Sequence, residues 1–174
     1  WATGEGATVT KTTGTYDNAN AGSGKTVTVA LVDADYTANV GTTLSNYTLP
    51  TSISGAVGSI SKAALTATGN SASVTYNGAN QSVSGFTVSG LQGSDTQSSL
   101  TSVAASGATG KNAGNYANTV TAGTETNYTV STVNGSLDIA KANATVTANS
   151  GTLTYNGANQ TASGFTASGL VGGE

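Results

Sequence analysis

Residues 62–95 read KAALTATGNSASVTYNGANQSVSGFTVSGLQGSD, and residues 141–174 read KANATVTANSGTLTYNGANQTASGFTASGLVGGE. The two stretches align without a gap at an offset of 79, with 21 identities in 34 positions. Both keep TYNGANQ, at Tyr76 and Tyr155, and both keep a Gly-Phe-Thr segment, at Phe86 and Phe165. Self-similarity at a fixed spacing is the mark of a repeated module. A period of 79 is that of a small domain and excludes a Thr-rich solenoid of the ice-binding kind, whose coils recur every few tens of residues at most.

Working outward, the module ends also repeat. Asn46-Tyr47-Thr48-Leu49 leads through a turn to Ser59-Ile60-Ser61-Lys62-Ala63, and Asn127-Tyr128-Thr129-Val130 leads to Asp138-Ile139-Ala140-Lys141-Ala142. Each module closes with NYT, a turn, an apolar strand and Lys-Ala, so Lys62 and Lys141 mark the joints. Gly22–Ala30 further resembles Gly114–Ala122. The period therefore predicts one complete module over 62–140, a partial module over 1–61, and the start of another over 141–174. That last stretch is either truncated or completed by strands of another chain. With almost no linker at the joints, successive modules are expected to be coupled stiffly, as a rod.

Within a module the apolar residues alternate with hydroxyls, as in Thr26–Leu31, Tyr128–Val133, Thr145–Thr147 and Thr152–Tyr155. Alternation of this kind predicts half-buried strands. Asn77-Gly78, Asn134-Gly135 and Asn156-Gly157 predict tight hairpin turns, and Gly22-Ser23-Gly24 a longer one. No segment keeps a helical period. The expectation is an all-β chain of small sandwiches. The inward residues expected for 62–140 include Tyr76, Phe86, Leu100, Val120, Tyr128, Val133, Leu137 and Ile139.

Thr, Gly, Ser and Asn make up more than half of the 174 residues, while charged residues are 7 % and His, Cys and Met are absent. Without imidazole only five lysines remain to activate a serine or threonine nucleophile, and there is no thiol nucleophile and no Cys or His metal site. Five lysines, no arginine and a net charge of −3 leave nothing for nucleic acid to hold, so no nucleic-acid partner is expected. No apolar run reaches the ~20 residues of a membrane helix, and Trp1–Thr10 lacks the basic and apolar parts of a signal peptide. Absent cysteine has two readings, a cytosolic protein without disulfides and a large bacterial exoprotein that crosses membranes unfolded, and the second is favoured. Six Asn-x-Ser/Thr sequons match what chance gives and carry no inference.

The pattern YNG followed by Gly-Phe-Thr-x-x-Gly-Leu, over Tyr76–Leu91 and Tyr155–Leu170, then AGNY, NYT and the closing Lys-Ala, resembles the MBG-type domain of large bacterial surface proteins. Residues 1–61, with GTYDNANAGSGKTVTV at Gly14–Val29 and SNYTL at Ser45–Leu49, look like the companion YDG-type domain. The resemblance implies tandem Ig-like or MBG-type β-sandwich modules in a filamentous-haemagglutinin-like adhesin. It also implies a secreted or cell-surface location and a structural role as a stalk or biofilm-matrix filament, without enzymatic activity.

Three groups of residues remain as candidate sites. Asp33 and Asp35, with Asp17 and Asn39, form an acidic cluster whose oxygens could hold Ca²⁺; a solvated loop is the alternative. No other cofactor is expected. Tyr76 and Tyr155 could stack on sugar rings of a polysaccharide, making the chain a carbohydrate- or surface-binding module. Their repetition equally suits packing at the core or in a turn. Lys62 and Lys141 interrupt apolar strands at the joints and keep exposed edges from pairing indiscriminately. The expected partners are neighbouring modules and, in fibres, other copies of the chain.

Overall fold

Alternation of β-branched and hydroxyl side chains governs the structure, a computed structural model that describes all 174 residues. It is all-β, with short strands and three single 3₁₀ turns. The chain divides into two units, one of Trp1–Ala63 with Thr126–Thr129, the other of Ala64–Glu125 with Val130–Glu174.

The first unit contains β1 (Ala7–Val9), β2 (Thr15–Tyr16), β3 (Gly22–Ala30), β4 (Tyr36–Ala38) and β5 (Ser52–Ile60). β3 is the spine, with β2 on one edge and β5 on the other, both antiparallel; β1 and β4 form a separate antiparallel pair. The Gly22-Ser23-Gly24 run does not turn the chain as expected. It begins β3, and Gly24, at φ +64°, sits where the register against β5 shifts between Ser23 and Lys25. Glycine there admits the bulge that lets a long strand twist. Gly58 has a packing reason, because a Cβ would lie 2.4 Å from the Tyr16 ring that crosses β5.

The second unit runs through β6 (Ala63–Gly69), β7 (Ala72–Thr75), β8 (Gln81–Val83), β9 (Phe86–Ser89), β10 (Val103–Ala105), β11 (Ala108–Gly110) and β12 (Gly114–Asn118). It continues with β13 (Val120–Ala122), β14 (Tyr128–Val133), β15 (Gly135–Ala140), β16 (Thr145–Ala148) and β17 (Phe165–Ser168), except that Ala63 of β6 and Tyr128 and Thr129 of β14 group with the first unit. These make sheets in the orders β14-β6-β9 and β12-β15-β7, and the pairs β8–β11, β10–β13 and β16–β17. The pairs β10–β13, β8–β11, β12–β15, β6–β9 and β16–β17 are antiparallel, whereas β15 and β7 run parallel from Leu137↔Ala72 to Ala140↔Thr75.

The core lies where the β12-β15-β7 sheet meets the β8–β11 pair. Leu137, Ile139 and Ala108 are buried there, with Val74, Tyr76, Val83 and Tyr116 packed round them. Alternation on β15 explains the choice: Gly135, Leu137 and Ile139 point in, while Asp138 and Ala140 point out. Leu65 and Ala67 are buried on β6, Tyr128 on β14, Val120 on β13 and Leu100 just before β10. Val133, expected inward, is half-exposed at the end of β14, where no further strand covers it.

Two turn expectations are corrected. Asn134-Gly135 is not a hairpin, since β14 and β15 belong to different sheets and Gly135 is not at positive φ. Glycine is required there for close approach: a Cβ would sit 2.2 Å from the Asn70 carbonyl oxygen and 2.5 Å from that of Gly69. Asn134 instead accepts a hydrogen bond from the Val120 amide at 2.9 Å. Asn77-Gly78 and Asn156-Gly157 do turn the chain, with glycine φ of 76° and 75°, but β7 and β8 again lie in different sheets. The stretch Thr152–Tyr155 is no strand, although its counterpart β7 is. β7 owes its ladder to β15, and no strand lies beside residues 152–155.

A carboxamide joins the loops of the complete module. Asn118, fully buried at the end of β12, donates to the carbonyls of Asn70 at 3.0 Å and Gly85 at 2.9 Å and accepts from the Gly107 amide at 2.9 Å. Replacing Asn118 by leucine keeps the volume but leaves the part-buried Asn70 carbonyl and Gly107 amide without the partner they have. Each such group costs about 1–3 kcal/mol, so Asn118→Leu is expected to lose about 2–4 kcal/mol in urea unfolding. A midpoint unchanged from the parent would show that the carboxamide is dispensable.

Candidate functional site

The repeated TYNGANQ motif folds the same way in both copies. Asn77 Oδ1 accepts the Ala79 amide at 3.0 Å and Gln81 Nε2 donates to the Thr75 carbonyl at 3.1 Å; Asn156 with Ala158, and Gln160 with Thr154, repeat this at 3.1 and 2.8 Å. An asparagine that bonds the amide two residues on builds the turn itself. The first Asn and the Gln of the motif spend these polar atoms on its own backbone.

The two tyrosines that precede these turns sit in different surroundings. Tyr76 packs against the Leu137–Ile139 core and its hydroxyl donates to Glu174 Oε1 at 2.6 Å, a bond that raises the phenol above its ordinary pKa. Tyr155 is 88 % exposed. A cavity of about 330 Å³ lies beside Tyr76, bordered by Asn112, Lys141, Leu170 and Glu174. Lys62 lies between β5 and β6, and Lys141 follows β15.

Asp33 and Asp35 occupy a 3₁₀ turn after β3. The Asp35 carboxylate accepts the Val32 amide at 2.9 Å, closing that turn, and Asp33 borders a shallow recess with Leu44, Tyr47 and Leu49. Asp17, Asp33 and Asp35 do not gather into a group of three acidic side chains. Asn39 is held elsewhere, its amide donating to the Gly6 carbonyl at 2.9 Å. Asp17 instead meets Lys25, whose Nζ lies 3.3 Å from its Oδ1 and also donates to Asn18. Lys25 is buried at 8 % exposure, so its charge needs these partners. Desolvation pulls the Asp17 carboxyl upward, but hydrogen bonds to Lys25 and the backbone at Asn18 and Thr26, with the Lys25 charge, outweigh it and hold the group low.

Sequence reading missed a cavity of about 550 Å³ in the first unit. Trp1, Val9, Lys11, Tyr36, Tyr47 and Ile53 are among its walls. The Trp1 and Tyr47 rings lie 4.5 Å apart at a tilt of 56°. Tyr47 donates to Glu5, which raises the phenol, and accepts the Ala2 amide; Tyr36 donates to the Pro50 carbonyl at 2.6 Å. A volume within the ~300–1,000 Å³ of small-molecule sites, with aromatic walls and a lysine, can hold a sugar ring or an apolar group. Three aromatics scattered over 47 positions carry no spacing that would disclose it.

Residues 65–138 match the family model of the MBG domain (YGX type). That domain is a β module found in extracellular and surface proteins of bacteria, and it is not a known enzyme family. No curated protein and no solved structure matches the chain. No helix is long and apolar enough to cross a membrane.

The Asp17–Lys25 pair sets an acid dependence. The folded carboxyl titrates below its unfolded value of about 3.9, so its stabilisation is complete above that value and fades as pH falls through the lower folded one. Asp17→Asn is expected to melt lower near neutrality and to lose melting temperature less steeply than the parent between about pH 6 and about pH 2. Parallel curves would separate Asp17 from the acid response.

Proposed function

We propose that this chain is a spacer segment in the stalk or matrix filament of an extracellular bacterial adhesin. In this reading 62–140 is a complete MBG-like module, 1–61 a partial YDG-like one and 141–174 the beginning of a further MBG-like module. The observation that carries it is structural repetition. The Asx turn of TYNGANQ and the pairing of the neighbouring strands recur 79 positions apart, with the same registers and the same glycines. Repetition of a turn that satisfies only its own backbone favours a module multiplied for length over one built round a reacting centre. Hydroxyl-rich outward faces keep such a module hydrated with little charge. Its partners are then neighbouring modules, other copies in a fibre, and surface polysaccharide.

A second reading, a carbohydrate-binding module, is favoured by the aromatic walls of the first-unit cavity. It expects saturable binding on a glycan array that drops at least tenfold in Trp1→Ala, and no binding by the parent would remove it.

The spacer reading is tested by stretching single molecules. The 62–140 module is expected to unfold in one step that releases roughly 25 nm of chain, at about 3.3–3.6 Å per residue. Extension without a discrete step would overturn it.

A further inference from the structure

Of the five lysines, Lys11, Lys62, Lys111 and Lys141 are exposed and Lys25 alone is buried. The strand departs from regular geometry to put it there. The β3–β5 register shifts both between Ser23 and Lys25 and between Lys25 and Val27, with Gly24 in the left-handed region. A bulge of this kind re-aims a side chain, and bulges are frequent beside reacting centres.

The re-aimed amine meets a carboxamide and a carboxylate. Lys25 Nζ lies 2.5 Å from Asn18 Oδ1 and 3.3 Å from Asp17 Oδ1. A carbonyl bond is about 1.23 Å long, so Nζ is at most about 3.7 Å from the Asn18 carbonyl carbon, close to a near-attack separation. Hydrogen bonds hold both partners in place: the Asp17 amide donates to the Thr26 carbonyl at 2.9 Å, and Asp17 Oδ1 accepts the Asn18 amide at 2.9 Å. Asn18 Oδ1 also accepts the Asn20 amide at 3.0 Å. A backbone donor on that oxygen stabilises the negative charge that develops there when a nucleophile adds to the carbon. Asn18 itself is exposed, which gives a leaving group a way into water.

We propose that Lys25 and Asn18 join spontaneously in a side-chain amide bond, with Asp17 as the proton carrier. Asp17 takes a proton from the Lys25 ammonium, and the freed amine attacks Asn18 Cγ. The Nζ–Cγ bond forms, the Cγ–Nδ2 bond breaks, and Asp17 returns its proton to the departing nitrogen. That nitrogen also takes the proton the new amide sheds, so one ammonium ion leaves and no oxidant or reductant is needed. The Asp17–Lys25 ion pair is the state from which the bond forms, and its acid response is that of the unbonded chain. In a chain without cysteine the bond supplies a covalent staple between the β2–β3 connection and β3.

Intact-mass spectrometry of the purified chain, followed over several days, tests it. The mass is expected to fall by about 17 Da as ammonia leaves. A succinimide at Asn77-Gly78, Asn134-Gly135 or Asn156-Gly157 gives the same loss, so the chain is then denatured and digested with trypsin, which does not cut after an acylated lysine. The bonded form yields residues 12–62 as one peptide, branched between Asn18 and Lys25 in its fragment spectrum, whereas the unbonded form is cut after Lys25. Asn18→Asp is expected to give the same branch with loss of about 18 Da, as water, and Asn18→Ala no branch at all. Asp17→Asn, with the parent's circular dichroism, is expected to form the bond roughly tenfold more slowly or worse. If that variant does not fold, Asp17→Ser takes its place. A parent cut fully after Lys25 overturns the proposal, as does a 12–62 peptide that persists uncut in Asn18→Ala. A rate unchanged without the Asp17 carboxylate overturns its part in the step.

Discussion

Asn118 shows how a chain so poor in large apolar groups holds its shape. Its carboxamide meets the Asn70, Gly85 and Gly107 backbone at once, so the β6–β7, β8–β9 and β10–β11 connections share an anchor. Gly85 and Gly107 are both at positive φ, which aims their backbone groups inward. Other side chains act alike: Asn134 holds the Val120 amide and Glu125 holds Ser102 by its amide and hydroxyl. A buried polar group fully satisfied in this way fixes one arrangement of loops, because any other arrangement strands it. Here asparagine specifies connections that elsewhere are specified by bulky packing.

This explains which parts of the fold were legible in the sequence. The repeat, the all-β class and the strand stretches Thr26–Ala30, Tyr128–Val133 and Thr145–Thr147 were written in local alternation, whereas the Gly22–Gly24 start of β3 was read as a turn. Partners at long range were not. Nothing local distinguishes β7, which finds β15, from Thr152–Tyr155, which finds nothing. Asn134-Gly135 has the composition of a hairpin and serves a crossing between sheets, since the Asn70 carbonyl that demands a glycine is 65 residues away in sequence. Asn118 was invisible for the same reason, as its three partners are scattered through the chain.

Candidate sites divide along similar lines. Tyr76 and Tyr155 share a motif but not an environment, because the first has β15 and its core beside it and the second does not. Asp33, Asp35 and Asp17 are near in sequence yet serve apart: Asp35 closes the 3₁₀ turn, Asp17 pairs with Lys25, and Asp33 borders a recess. The aromatic cavity arises only when Trp1, Tyr36 and Tyr47 are brought to one wall by the fold.

The parallel pair of β7 and β15 governs the order in which the module comes into being. Ala72 and Leu137 stand opposite one another although they lie 65 positions apart. A chain emerging from its N-terminal end therefore offers β7 long before the strand that completes it arrives. Until then the inward side of β7 is uncovered, and closure waits on the last residues of the repeat. Non-local pairing of this kind slows folding. A newly made module would stay pliable until its final strand is synthesised and pairs.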